Sequence, residues 1–152
     1  MTGRADRAAD QRELVITRLF DAPRSVVWRA WTDPEQVKSW GPRGFTTTER
    51  EMEFRPGGAW HAVMVSPEGQ RLRQHGVVQE VVQLERLVFT FIWDDHPEEE
   101  MLVSVSFVDR GQRTEMVFRQ TGFSSDASRD GHRGGWNEAF DQLAETLAVT
   151  TR

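Results

Sequence analysis

Cysteine is absent from this sequence of 152 residues, and lysine occurs only once, at Lys38. The absence of cysteine excludes disulfides, thiolate nucleophiles and cysteine-based metal sites. It also fits a reducing compartment. Apart from Lys38, every basic residue among the 19 is an arginine. We attribute this bias to a GC-rich coding genome rather than to a function.

Long apolar runs are also missing. No stretch approaches the roughly 18 apolar residues of a membrane-spanning helix, and residues 1–11 lack the apolar segment of a signal peptide. We therefore expect a cytoplasmic protein with no membrane span. The net charge of −5, with no cluster of basic residues, argues against nucleic-acid binding, because phosphates require a basic surface.

The length and the hydrophobic content of 38% suit one folded domain. We expect a flexible leader over residues 1–12 and a domain over residues 13–152. Short segments with alternating apolar residues predict strands, at 13–20, 45–55, 60–66, 71–82, 87–93, 101–108 and 114–121. Between the first two strands, helical spacing and the cap Asp33-Pro34 predict two short helices.

The C-terminal segment predicts one long helix over 124–149, with Ser124 or Ser125 as its cap. Four apolar residues form a single stripe along it, namely Trp136, Phe140, Leu143 and Leu147. Strands and helices do not alternate, so the sheet should be antiparallel. The predicted fold is α+β: a curved sheet of six to seven antiparallel strands wrapped around the long helix.

Three motifs in this order resemble one known superfamily. They are Asp21-Ala22-Pro23 followed by the segment 28–34 (WRAWTDP), then Arg55-Pro56-Gly57-Gly58, and then Gly135-Trp136 at the start of the apolar stripe. The pattern is similar to the START-like, helix-grip (SRPBCC) superfamily, in the branch named after the activator of the heat-shock protein 90 ATPase. The resemblance runs from about residue 13 to residue 148.

This resemblance implies a cavity between the sheet and the C-terminal helix. Members of the superfamily bind lipids, polyketides, hormones or other apolar molecules, and some are cyclases or aromatases. The branch takes its name from a co-chaperone domain. Since a fold does not fix a function, the residues of the cavity have to be considered individually.

Aromatic and methionine residues on the predicted inner faces are the first candidates for an apolar ligand pocket. The alternative is an ordinary packed core. Together with His132, which precedes Trp136 by one helical turn, the predicted pocket comprises Met52, Phe54, Trp60, Met64, Phe89, Phe91, Trp93, Met116, Phe118, His132, Trp136 and Phe140.

Gly134-Gly135 is unusual inside a helix, since each glycine costs roughly 1 kcal/mol relative to alanine. The pair indicates a kink or a close approach of backbone or ligand. Alternatively, the helix begins only at Trp136.

The other histidines flank turns. A three-residue loop over 67–69 would place His61 opposite His75, whereas a four-residue loop would send them to opposite faces. We expect the second register, with His61 pointing outward. The acidic loop 94–100 is expected to be a solvated rim. With four histidines and no cysteine, we expect no metal site and no cofactor.

The first hypothesis is a binding protein for a small apolar or aromatic molecule, as a monomer or weak homodimer, without a catalytic residue. The second is a cyclase- or aromatase-like enzyme, in which His75, His132 and Gln120 would transfer protons. The third is an interaction module similar to the co-chaperone domain. The enzyme hypothesis requires at least two polar side chains that converge inside the pocket.

Overall fold

Seven strands and three helices account for most of the 12–150 segment, which is the part of the chain that this computed structural model describes. The expected leader lies outside this segment except for Arg12. In chain order the elements are β1 Leu14–Phe20, α1 Arg24–Thr32, α2 Pro34–Val37, β2 Thr46–Met52, β3 Ala59–Val65, β4 Arg71–Val82, β5 Arg86–Trp93, β6 Met101–Arg110, β7 Arg113–Thr121 and α3 Asp126–Thr150.

All seven strands form one antiparallel sheet in the order β1-β7-β6-β5-β4-β3-β2. Strands β2 to β7 are neighbours in the order in which they occur in the chain. Strand β1 is the exception, because α1 and α2 separate it from β2 and it pairs with β7. The sheet curls into a half-barrel that holds α3 on its concave side. This confirms the predicted α+β helix-grip fold and sets the number of strands at seven.

The two short helices lie where the sequence predicts them. The Asp33 side chain accepts a hydrogen bond from the Glu35 amide at 2.9 Å, and Pro34 takes the first helical position of α2. Helix α1 begins after Pro23, and no side-chain hydrogen bond caps it at this position. Helices α1 and α2 and the segment that follows them, residues 24–45, form a bend that we call the elbow. It directs Trp31 and Trp40 toward the core, where their ring centroids lie 4.9 Å apart.

Helix α3 begins at Asp126, so Gly134 and Gly135 are interior helical residues rather than residues that precede the helix. Ser125 caps it by accepting a hydrogen bond from the Ser128 amide at 3.0 Å. The apolar stripe faces the sheet, with Phe140 and Leu143 fully buried. The C-terminal half of α3 therefore packs closely, and its N-terminal half carries the two glycines.

Glu99 provides a second anchor for the start of α3. One carboxylate oxygen, Oε2, accepts hydrogen bonds from Ser124 N at 2.8 Å, Ser124 Oγ at 2.7 Å and Ser128 Oγ at 2.7 Å. Glu99 is 8% exposed, so the expectation that the whole acidic loop is solvated was wrong for this residue. Burial acts to raise the pKa of Glu99, but the hydrogen bonds from Ser124 and Ser128 outweigh it and hold the pKa below its usual value.

Glu99→Gln should lower the free energy of unfolding by about 1–2 kcal/mol near neutral pH, because the hydrogen bonds to a charged acceptor are lost. A group whose pKa is lowered in the folded state stabilises the protein above its unfolded pKa, and this contribution disappears as the pH falls. The difference between wild type and variant should therefore shrink below about pH 4.5. Urea denaturation at neutral and acidic pH measures it.

Glu98→Gln is the matched control, because Glu98 lies on the same loop with its side chain 72% exposed. It should change the stability little at either pH. Equal losses from the two variants near neutral pH would contradict the anchoring role of Glu99.

Candidate ligand-binding cavity

A cavity of about 570 Å³ lies between one half of the sheet and the N-terminal half of α3. Strands β2, β3, β4 and β5 form one wall, and α3 forms the opposite wall. The elbow closes one end. Strands β1, β6 and β7 contribute no lining residue. The cavity reaches the surface, because exposed residues such as Gly131 and Glu138 belong to its lining.

Trp60 is fixed in the sheet wall by the backbone of a strand that is not its neighbour. Its indole Nε1 donates a hydrogen bond to the Thr90 carbonyl of β5 at 2.7 Å, across β4. Gly76 lies opposite Trp60 on β4, and a Cβ there would stand 2.4 Å from that Nε1 and 2.0 Å from the Thr90 oxygen. Glycine is therefore required at position 76 for the ring to cross the strand.

Strand β2 supplies the cationic side chain of the wall. The pairing of β2 with β3 shifts between Thr47 and Glu49, which leaves Thr48 as a bulge. A bulge changes the alternation of faces along a strand, so both Thr47 and Arg50 line the cavity although they are an odd number of residues apart. Arg50 thus lies with Met52 on a wall that is otherwise largely apolar.

The helix wall has no side chain at two positions one turn apart, Gly131 and Gly135. A Cβ at Gly131 would have no neighbour within 4 Å, and one at Gly135 would only touch Pro42 at 4.0 Å. Neither glycine is therefore required by close packing. Their small size leaves space in the cavity. No backbone of the described segment comes close to either glycine, and the predicted approach of a ligand stays a prediction.

His132 is held on the cavity wall by two hydrogen bonds. Its Nε2 lies 2.9 Å from the indole Nε1 of Trp93, and its Nδ1 lies 2.8 Å from the Ser128 carbonyl oxygen. An indole N–H only donates, so Nε2 must accept and Nδ1 must carry the proton that is donated to Ser128. Both ring nitrogens are therefore used in hydrogen bonds within the protein.

Eight of the twelve residues predicted from the sequence line the cavity. They are Met52, Trp60, Met64, Phe89, Phe91, Trp93, His132 and Trp136. Their contact with a ligand stays a prediction. The other four do not line it: Met116, Phe118 and Phe140 are fully buried in the packed half of the domain, and Phe54 packs at the edge of the core beyond the end of β2.

The histidines of the hairpin take the register that we did not expect. Ser66 N donates to Gln70 O at 2.8 Å, so the loop has three residues and His61 pairs with His75. Both are exposed outside the cavity, as predicted for His61, and His75 Nδ1 hydrogen-bonds to Asp94. Within residues 12–150, no three histidine or acidic side chains are placed to hold a metal ion.

The three polar residues considered for catalysis are not brought together. His75 lies outside, and Gln120 is fully buried, accepting a hydrogen bond from Trp136 Nε1 at 2.8 Å. Of the three, His132 alone lines the cavity. The convergent pair that the enzyme hypothesis requires is therefore not formed by these residues.

Several lining residues were missing from the predicted set, among them Trp31, Trp40, Arg50 and Gln74. For Arg50 a signal existed, since it shares the alternation of Met52 and Phe54 on the predicted inner face of its strand. For the tryptophans of the elbow no periodic pattern indicates a cavity, because their position depends on how α1 and α2 pack against the sheet.

Comparisons with known proteins agree with this architecture. A family model described as Activator of Hsp90 ATPase homolog 1-like protein matches residues 21–148. The comparison with curated proteins gave no match. None of the helices in the described segment is long and apolar enough to cross a membrane.

Solved structures share the fold over nearly their whole length. The AHSA1 protein of Silicibacter pomeroyi is 26% identical, with a TM-score of 0.82, and the alignment covers 91% of this chain and 99% of that one. A protein of Chromobacterium violaceum is 25% identical, with a TM-score of 0.83 and coverage of 90% and 97%. A protein of Nitrosomonas europaea is 26% identical, with a TM-score of 0.78 and coverage of 91% and 96%.

The family match and these structures confirm the resemblance found in the sequence motifs. The chain belongs to the family of Activator of Hsp90 ATPase homolog 1-like proteins, within the helix-grip superfamily.

Proposed function

We propose that this protein binds a small apolar or aromatic molecule in the cavity between β2–β5 and α3. The observation that carries the proposal is the cavity itself, with a volume of about 570 Å³ and walls formed largely by tryptophan, phenylalanine and methionine. Ligand pockets in proteins typically have volumes of roughly 300–1,000 Å³ and are mostly apolar. The cavity falls within this range.

The cavity walls support a preformed site. Trp60 and His132 are each held by hydrogen bonds to other elements, at 2.7 Å and 2.9 Å. Trp31 and Trp136 stack with their ring centroids 6.2 Å apart. Side chains that are ordered before binding lose less conformational entropy when the ligand arrives. Aromatic walls of this kind suit flat rings and alkyl chains alike.

Native mass spectrometry of freshly purified protein, together with titration of the neutral fluorescent probe N-phenylnaphthylamine, tests the proposal. We expect one probe per chain, with low-micromolar or weaker affinity, and displacement of any apolar molecule that co-purifies. Quenching or energy transfer from the cavity tryptophans should accompany binding, because Trp60 and Trp93 are part of the wall. A protein that carries no small molecule and fails to bind the probe would contradict the proposal.

A further inference from the structure

The cavity wall contains a positive charge that has no negative partner. Arg50 Nη1 is buried and has no hydrogen-bond acceptor within the described part of the chain. The contacts of Nη2 are long ones, 3.3 Å to the Trp31 carbonyl oxygen and 3.7 Å to Met52 Sδ. The guanidinium also lies 5.7 Å from the centre of the Phe54 ring.

No ion pair among the described residues includes Arg50. Glu138 is the acidic residue of the cavity lining, and its side chain is exposed to solvent. His132 uses both ring nitrogens in hydrogen bonds to Trp93 and Ser128. The guanidinium is therefore a charge on the inner wall that no described residue compensates.

A second buried donor belongs to another lining residue, Trp31 on α1. The indole Nε1 of Trp31 is buried and has no acceptor in the described segment, and Trp31 is the residue whose carbonyl oxygen Arg50 contacts. Buried donors are almost always paired, so two unpaired donors on residues that line one cavity require an explanation. The guanidinium of Arg50 belongs to the cavity lining, so an acceptor on a ligand is the simplest partner for it.

Arg50 remains charged at neutral pH. Burial lowers the pKa of Arg50 to about 10, which shows that the charged form is less favourable here than in water. A neutral acceptor would complete the hydrogen bonds but leave this charge uncompensated in an apolar environment. An anion compensates the charge and accepts the hydrogen bonds at once.

The geometry points to a carboxylic acid with an apolar or aromatic body as the ligand class, with Arg50 binding its carboxylate. A carboxylate carries one negative charge and matches the planar fork of a guanidinium. A phosphate monoester carries about 1.5 to 2 charges, more than a single arginine compensates. The apolar body would occupy the aromatic part of the cavity. This inference rests on the proposed function and specifies its ligand.

Naphthaleneacetic acid and naphthaleneacetamide form a matched pair of probes, since they share a ring system and a linker and differ in charge. Isothermal titration calorimetry near neutral pH should show the acid binding at least about tenfold more tightly than the amide, because hydrogen bonds to a charged group are the stronger ones. In Arg50→Met this preference should vanish, because the acid loses more affinity than the amide when the charged donor is removed.

Arg50→Lys should keep part of the preference, because an ammonium retains the charge without the planar fork. Arg71→Met is the control for long-range charge effects, since Arg71 is exposed and does not line the cavity. It should leave the preference unchanged. The melting temperature of ligand-free Arg50→Met should equal or exceed that of wild type, because the variant removes an uncompensated buried charge.

Equal affinity of wild type for the acid and the amide would overturn this inference and leave the proposed function standing. A preference that survives in Arg50→Met, or a clear drop in the melting temperature of that variant, would also overturn it, because Arg50 would then be a structural residue. Failure of both compounds and of the neutral probe to bind would count against the proposed function as well.

Discussion

Gly135→Leu is expected to weaken binding of the neutral probe by at least about tenfold, because the new side chain occupies space that the probe needs. Gly135 lies on the cavity wall of α3, and a Cβ at this position meets only Pro42, at an ordinary contact distance of 4.0 Å. The rest of the leucine side chain must then extend along the cavity. Forcing a ligand against extra methylene groups costs about 1.5–3 kcal/mol at a position so close to the cavity, which corresponds to roughly ten- to 150-fold in affinity.

Gly134→Leu is the matched control, with the same substitution one residue away. Gly134 is exposed, does not line the cavity, and has no atom within 4 Å of an added Cβ. Both variants should raise the free energy of unfolding by about 0.5–1 kcal/mol, because leucine has the higher helix propensity. Fluorescence titration and thermal unfolding of the two proteins measure these effects. Similar probe affinity in both variants would place the binding site elsewhere.

Trp136→Ala is expected to lower the free energy of unfolding by about 3 kcal/mol, the lower end of the range for large aromatic residues, since the side chain is only partly buried. The Trp136 ring lies 4.6 Å from the Phe118 ring and 5.5 Å from the Phe140 ring. Its Nε1 donates to Gln120 Oε1 at 2.8 Å. Alanine removes the packing and also leaves a fully buried acceptor unpaired.

Trp136→Phe separates these two contributions, because it keeps a ring and removes the indole donor. We expect a loss of about 1–2 kcal/mol from the unpaired Gln120 oxygen. Equilibrium denaturation in urea gives both values. A loss below about 1 kcal/mol for Trp136→Ala would show that the ring is not part of the core, contrary to the contacts described above.

Trp136 packs against the core and also borders the cavity, and helical spacing alone does not separate these two roles. Helical spacing correctly placed Trp136, Phe140, Leu143 and Leu147 on one buried stripe. It did not distinguish the first residue, which borders the cavity, from the second, which is fully buried. Both positions are apolar and face the same sheet, so the periodicity is identical for a packed contact and for a cavity wall.

The strands show the same limit. Alternation correctly assigned Met52, Trp60 and Phe89 to the inner face, and it did the same for Met116 and Phe118. The first three line the cavity, whereas the last two lie in the packed half of the domain. Which half of the sheet α3 approaches depends on the sheet's curvature and on the path of the helix across it, and neither is a property of one strand.

The register of the hairpin formed by β3 and β4 could not be predicted from the sequence either. Loops of three and of four residues were both compatible with the turn around Gly69, and they differ in whether His61 opposes His75. The structure selects three residues, with Trp60 opposite Gly76. The hydrogen bond from Trp60 to Thr90 can form only because Gly76 has no side chain. This tertiary contact favours the register with a three-residue loop.

By itself the sequence determined the order of the elements, the antiparallel α+β fold, the apolar inner faces and the family, because these follow from local periodicity and from short motifs. The tertiary structure alone decided where the sheet and α3 separate to leave a cavity, and that Arg50 and Trp31, which line it, each keep a buried donor without an acceptor in the described segment. A cavity exists where no atoms fill the space between two elements, and a donor is unpaired where no acceptor lies within hydrogen-bonding distance. They depend on the spacing between elements far apart in the chain, which no local pattern specifies.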